Sequence, residues 1–564
     1  MDSRVTDLVE SIYGSQPAEL LSGLQRLLEE PQSTSEFADL WDETDVVLIT
    51  YADQIRQHGR SPLQAQNKFL LDHSLDDLFS CVHLLPFCPY TSDDGFSVVD
   101  YLAVDQASGS WSDINNLGHS FDLMFDLVLN HASQQNSWFQ SYLAGNPEYD
   151  NYFIEVDASA DLSAVVRPRS LPLLTTFESA AGKKQIWTTF SADQVDLNYQ
   201  NPRVMLRMIE ILVEYARRGA RIIRLDAIAF LWKEVGTSCL HLRETHAAVK
   251  LMRRVLDLVV PGTIILTETN VPHEENISYF GDGSDEAHMV YQFSLPPLLM
   301  DAVHSNDTSV LKSWLRDLSP PSQKTTFLNF TASHDGIGVR PLEGIVSAER
   351  LSHLLKIVES KGGKVNTRQT TEGTQKPYEL NLTYMSAVSG DESEGAVRLA
   401  RRFLATQALM LSMQGVPAVY FHSLVGSPND YKGMQDSGQY RRINRHKYDR
   451  DELDRALSDT QGVQSRVFEG YKRLLEVRRN QKAFHPNASQ EILDLPTDGL
   501  IGIKRVASNG STLVSLINLS DQTKNISSSL IGSGMFFDEL AEQRIYGGQS
   551  IEMLPYQTRW LTEE

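Results

Sequence analysis

Arg221-Ile222-Ile223-Arg224-Leu225-Asp226 is a short β-branched run that ends in an arginine and then, two residues on, a carboxylate, with Ala227-Ile228-Ala229-Phe230 behind it. An apolar run of that length reads as a buried parallel strand delivering charge at its C-terminal end. A structural Arg224–Asp226 ion pair explains one such hexapeptide equally well. Two more apolar runs end in the same way. Thr263-Ile264-Ile265-Leu266-Thr267 leads to Glu268, and Thr326-Phe327-Leu328-Asn329-Phe330 runs on through Thr331-Ala332-Ser333-His334 to Asp335. Carboxylates drawn from three strand ends are what a barrel active site needs to act on a glycosidic bond.

A chain of 564 residues exceeds one minimal domain and suits a barrel with attached modules. The net charge of −22 argues against nucleic acid or an anionic membrane as partner. An anionic substrate must therefore meet a local basic cluster. The start, Met1-Asp2-Ser3-Arg4-Val5-Thr6-Asp7, lacks the apolar core of a signal peptide, and no run reaches transmembrane length, so a cytoplasmic protein is expected. Cys81, Cys88 and Cys239 are too few and too irregularly spaced for a disulfide framework or a zinc site. They read as reduced thiols in or near the core.

Residues 1–45 form an N-terminal helical extension, with Leu20, Leu21, Leu24, Leu27 and Leu28 on one face before Pro31 interrupts. Strands begin at Val46–Tyr51 and continue with Val82–Phe87 and Leu123–Val128, amphipathic stretches lying between them. After Glu244, Ala248, Leu251, Met252, Val255 and Val259 share a helix face. The eighth strand is Pro417–Phe421. The predicted fold is α/β: a (β/α)8 TIM barrel over 46–131, 197–335 and 390–485, with inserted lid domains and a C-terminal antiparallel β domain over 486–564. The first insertion, 132–196, lacks helical periodicity and reads as a lid over the strand ends. The second, 336–389, reads as irregular. In the C-terminal part the pattern turns to alternation around a Ser508-Asn509-Gly510 turn.

The chain resembles the α-amylase superfamily (glycoside hydrolase family 13). Asp126-Leu127-Val128-Leu129-Asn130-His131 is similar to its third-strand motif, Arg224-Leu225-Asp226 to its fourth, Glu268 to its fifth and Ser333-His334-Asp335 to its seventh. Within it, Leu85-Pro86-Phe87, Ser92-Asp93-Asp94-Gly95-Phe96-Ser97, Arg167-Pro168-Arg169, His334-Asp335-Gly336-Ile337-Gly338 and Ile443-Asn444-Arg445 resemble the sucrose phosphorylase group. The N-terminal extension, Trp232-Lys233-Glu234, Thr267-Glu268-Thr269-Asn270-Val271-Pro272-His273 and Glu286–Phe293 look most like its glucosylglycerate phosphorylase branch. Sucrose phosphorylases usually carry Gln after the acceptor-loop tyrosine and tend to have Asp two residues before it. Here Glu379 follows Tyr378 and Lys376 precedes it, which speaks against sucrose.

This resemblance implies a retaining phosphorylase that reversibly converts 2-O-α-D-glucosylglycerate to α-D-glucose 1-phosphate and D-glycerate through a covalent β-glucosyl-enzyme. Asp226 is the implied nucleophile, Glu268 the general acid/base and Asp335 the carboxylate that fixes sugar hydroxyls. Asp93 with Arg441, His131 and His334, Phe96 or Tyr51 as apolar wall, Gln194, and Arg224 beside the nucleophile form the expected glucose subsite. Trp232 reads as packing. Arg169 with Tyr378, aided by Lys376 and Glu379, is the expected phosphate and acceptor site. Inorganic phosphate is a co-substrate, no cofactor is implied, and no metal is expected because Asn130 alone makes no oxygen cage. The expected partners are a small-molecule glucoside and phosphate, and the sequence is compatible with a homo-oligomer. Phosphorylases of glucosylglycerol, sucrose or sucrose 6-phosphate stay open as rivals, as do α-glucoside hydrolysis and transglucosylation, since all use the same carboxylates.

Overall fold

Eight short parallel strands close into a barrel: β1 (Val47–Thr50), β2 (Cys81–Leu84), β3 (Asp122–Leu127), β4 (Ala220–Leu225), β5 (Ile264–Thr267), β6 (Met289–Tyr291), β7 (Thr326–Phe330) and β8 (Val416–Tyr420). The computed structural model describes residues 2–30, 40–157, 159–369, 374–390, 392–532 and 534–564. Each strand pairs with its neighbours in chain order, and β8 returns to β1. Apart from Asp122 every strand residue is buried, because helices cover the outside and side chains fill the inside. The sequence pattern marks seven of these strands. It misses β6, whose three residues are too few to carry a period.

The register places the site. Asp126 on β3 lies opposite Arg224 on β4, and Arg224 opposite Leu266 on β5. The C-terminal ends of β3, β4 and β5 therefore bring Asp126, Arg224, Asp226 and Glu268 to one level. Outside, α1 (Ser3–Tyr13) and α2 (Ala18–Glu29) pack on α3 (Pro202–Arg217) and α4 (Arg243–Val259). Leu20, Leu24 and Leu27 are buried there, while Leu21 and Leu28 are only partly covered. Trp232 packs against Tyr13 with ring centroids 6.0 Å apart, so the extension is tied to the barrel near the site. The break expected at Pro31 lies outside the described residues.

Both insertions are more ordered than their sequences suggest. The first contains a helix, Ser137–Leu143, capped by Asn136, and a hairpin of Leu174–Ser179 with Gly182–Trp187. Its base is closed by His131–Ser133 pairing with Gln194–Asp196. Val156, Val165, Leu173, Trp187 and Cys239 form a small core of their own between this lid and the loop after β4. The helix is only seven residues long, too brief for a periodic signal. The second insertion is not irregular: it holds a three-stranded sheet and the helix Ala348–Ser360. Leu351, Leu354, Leu355 and Val358 do carry the helical spacing there. A six-stranded antiparallel sheet built around Leu500–Val506, Thr512–Asn518 and Thr558–Glu563 ends the chain. Trp560 docks it onto the barrel, its indole N–H donating to Ser412 at 3.0 Å. All three cysteines are buried and unpaired.

Candidate active site

At the end of β4 one buried guanidinium faces three carboxylates. Arg224 bonds Asp126 and reaches Asp226 at 2.7 Å, with Glu268 at 3.9 Å. Asp126 is also held by His83 at 2.6 Å. Immediately after Asp226 the backbone turns sharply, with Ala227 at φ +50°, ψ +31°. That left-handed conformation costs a non-glycine residue about 1–3 kcal/mol, and it aims the Ala227 N–H at Glu268 Oε2, 3.0 Å away.

The electrostatics divide the three acids. Burial alone raises Asp126, but Arg224 and His83 overcome it and bring its carboxyl down to about 2. Burial pushes Glu268 up to about 7; Arg224 opposes this, while the charges of Asp226 and Asp335 add to it. Burial raises Asp226 too, against the pull of Arg224. Because Arg224 is nearer Asp226 than Glu268, a single proton shared between them rests on Glu268. The pair thus holds a proton that Glu268 takes and releases near neutral pH, with Asp226, nearer to Arg224, the more readily ionised of the two.

A second network borders it. Arg445, fully buried, reaches Asp94 at 2.9 Å and Asp93 at 3.3 Å, and donates to the His334 carbonyl at 2.8 Å. Asp93 and Asp94 both have φ near +50°. Gly95 completes this turn, since a Cβ there would come within 2.5 Å of the Pro86 carbonyl oxygen. Arg441 binds Asp335 at 2.6 Å and Glu379 at 2.8 Å; its distance to Asp93 is 3.9 Å. The expected Asp93–Arg441 pair is thus one edge of a larger lattice whose strongest links lie elsewhere. Burial raises Asp93, yet Arg445, Arg441 and Arg169 together hold its carboxyl far below the usual range. Burial, with Arg445 and Arg224 nearby, keeps His334 neutral.

Phe96 stacks on His334, with ring centroids 4.6 Å apart and planes 7° from parallel. Its carbonyl lies 2.9 Å from His131 Nε2 and accepts from Gln194 at 3.1 Å. Phe96, His131, Gln194 and His334 therefore line one cavity with Asp226, Glu268 and Asp335. Tyr51 does not line it: it meets His334 edge-on, with centroids 6.2 Å apart, and faces a neighbouring pocket.

Toward the mouth, Arg169 sits 3.6 Å from Asp93 and 5.8 Å from the centre of the Phe190 ring. Tyr378 joins it in the cavity wall, its hydroxyl pushed up to about 12 by burial. Two acceptor-loop expectations are corrected. Lys376 is exposed and does not line the cavity. Glu379 is buried behind the wall, where it accepts from the Gly336 N–H at 2.9 Å and binds Arg441, so it contacts no ligand space. Cavity residues that sequence reasoning misses are Phe190, Phe230, Asn270, Arg340 and Arg368. Asn270 had a signal, since it follows Glu268 directly by two residues; the arginines lie in the insertion, where nothing in the pattern distinguishes them.

Beside Asn130 the chain supplies its own cation. The Lys233 ammonium lies 2.6 Å from Asn130 Oδ1, 2.6 Å from the Phe230 carbonyl and 2.8 Å from Asp196. It joins the lid base to the strand-3 and strand-4 loops. Among the described residues no group of three or more His, Cys, Asp or Glu side chains is placed to hold a metal ion. Likewise no helix among them is long and apolar enough to cross a membrane.

Residues 77–336 match the family model for the α-amylase catalytic domain. A glucosylglycerate phosphorylase from Escherichia coli (strain K12) is 45% identical over 567 residues, covering all of both chains. One from Allomeiothermus silvanus is 48% identical over 524 residues, 93% of this chain and 92% of that protein. Among solved structures, a sucrose 6F-phosphate phosphorylase from Thermoanaerobacter thermosaccharolyticum superposes with a TM-score of 0.74 at 23% identity, over 93% of this chain and 100% of that one.

Proposed function

The chain belongs to the glucosylglycerate phosphorylase family of α-amylase-type barrels, and from that membership we propose how its residues phosphorolyse 2-O-α-D-glucosylglycerate to α-D-glucose 1-phosphate and D-glycerate. The observation that carries the mechanism is the unequal hold of Arg224 on Asp226 and Glu268. In the first step an Asp226 oxygen attacks the anomeric carbon, the bond to the glycerate oxygen breaks, and Glu268 gives that oxygen its proton. In the second a phosphate oxygen attacks the same carbon and the bond to Asp226 breaks. Glu268, now a carboxylate, takes up the proton that phosphate brings. Two inversions retain the α configuration.

Arg224 favours the ionised form of Asp226 for attack, and burial raises Glu268 to about 7, so that it still holds a proton to give near neutral pH. Asp335, Arg441, Asp93 and His334 hold the glucosyl hydroxyls, with Phe96 as the apolar face. Arg169 and Tyr378 draw phosphate into a protein of net charge −22. No cofactor takes part; the ligands are the glucoside and phosphate.

The test runs the reaction backwards, incubating α-glucose 1-phosphate with D-glycerate, glycerol or fructose in parallel and following phosphate release against a water control. Fast release with D-glycerate supports the reading. Preference for glycerol or fructose reassigns the acceptor, and equal release in water makes the protein a hydrolase.

A further inference from the structure

The second insertion places two arginines in the cavity wall that none of the chemistry above uses. Arg340 follows the short strand Ile337–Gly338, and Arg368 lies on the strand Lys364–Gln369. Their side chains are only 12% and 15% exposed. Each guanidinium is anchored through one terminal nitrogen: Arg340 lies 3.4 Å from Glu275, and Arg368 lies 2.9 Å from Glu343. The Nε of each is buried without a hydrogen-bond partner. A buried N–H left unpaired costs about 1–3 kcal/mol, and of the described arginines whose Nε is left so, these two line the cavity, where a ligand can supply acceptors.

Asn270, two residues after Glu268, lines the same cavity, and its Oδ1 is also buried without a partner. Its place is made by Gly338, where a Cβ would fall 2.4 Å from that oxygen. A ligand that completes the wall must therefore present acceptors to two arginines and a donor to an amide oxygen. Inorganic phosphate as the dianion carries three acceptor oxygens and its single P–OH donor on one tetrahedral centre. A small hydroxy acid carries them on separate groups: a planar carboxylate that matches the guanidinium fork, and a free hydroxyl that supplies the donor.

We infer that Arg340 and Arg368 bind the carboxylate of the acceptor hydroxy acid, with Asn270 accepting from its remaining hydroxyl, on the insertion side of the cavity. This assignment rests on the phosphorylase reading and sharpens it, because it divides the two anions of the reaction between two sets of residues. Glycerate is chosen by Arg340 and Arg368 of the insertion, and phosphate by Arg169 of the lid with Tyr378 of the insertion sheet. It also gives a use to Asn270 and Gly338, which lie in the two motifs flanking the catalytic carboxylates.

The partition of the glucosyl-enzyme tests it. With α-glucosyl fluoride as donor, fluoride release reports formation of the intermediate, and the products report whether D-glycerate, phosphate or water removes it. In Arg368→Gln and Arg340→Gln, the glycerate-to-water ratio at fixed glycerate is expected to fall about tenfold or more, while the phosphate-to-water ratio falls less than about threefold. Retained fluoride release shows that each variant folds; Arg368, on a surface hairpin, serves if the Arg340 variant does not. An unchanged glycerate ratio overturns the inference, and so does an equal loss for glycerate and phosphate. If the native protein transfers to neither anion, the phosphorylase reading fails instead, and the two failures are told apart.

Discussion

Arg224 lies 2.7 Å from Asp226, two residues further along the same chain, and the same guanidinium stands 3.9 Å from Glu268 on the next strand. This difference of about one ångström decides which carboxyl holds the proton. It follows from register, since Arg224 must sit opposite both Asp126 and Leu266 for the barrel to close.

Glu268→Gln removes the proposed proton donor but leaves Asp226 and its arginine in place. Turnover of glucosylglycerate is expected to fall about 10²–10⁴-fold, whereas α-glucosyl fluoride, whose leaving group needs no proton, loses far less in the glucosylation step. Steady-state rates on the two donors check this. Equal loss on both contradicts the acid role.

The Glu268 carboxyl at about 7 also sets the pH profile. The step that cleaves glucosylglycerate needs its protonated form, so kcat/KM declines as pH rises through about 7. With α-glucosyl fluoride that limb should disappear. A limb shared by both donors assigns it to another group.

The same shift has a stability consequence. Between the ordinary 4.5 and about 7 the folded chain keeps a proton that the unfolded chain has released, so this group makes stability fall as pH rises across that window. Glu268→Gln removes the cost. The variant is expected to be more stable than the native protein at pH 8, by at most about 3 kcal/mol, with the gain vanishing near pH 4. Denaturant titrations at the two pH values measure it.

Much of this is legible in the amino-acid sequence. The apolar runs of β4, β5 and β7 end in carboxylates because a strand buried on both faces leaves charge only at its tip, and that is a one-dimensional signal. Arg169 and Tyr378 come from motifs and reach the cavity. Glu379 shows where sequence reasoning fails: its neighbour Tyr378 faces the cavity, and alternation along a strand turns the next side chain the other way, into the Arg441 ion pair. Lys376 strays because the hairpin carries it to the surface. Arg340 and Arg368 depend on contacts across tens of residues, with Glu275 and Glu343, that no local pattern encodes.

Glu379 therefore acts through Arg441. Glu379→Gln keeps an acceptor for the Gly336 N–H but loses the charge that steadies Arg441 against Asp335. It should lower kcat/KM for glucosylglycerate and α-glucosyl fluoride alike, by about tenfold, with a loss of about 1–3 kcal/mol in stability. An effect confined to the acceptor step would return Glu379 to the acceptor site.

Arg169→Ala should raise the KM for phosphate about tenfold or more and change fluoride release from α-glucosyl fluoride much less. Initial rates across a phosphate series read this directly. Unchanged phosphate dependence places the anion elsewhere.

The most direct measurement follows the native protein by proton NMR on 2-O-α-D-glucosylglycerate with and without inorganic phosphate. Glucosyl transfer through Asp226 to phosphate gives α-glucose 1-phosphate as the first product, at a rate that depends on phosphate, with little free glucose. Appearance of the β anomer, or of free glucose at the same rate without phosphate, contradicts it.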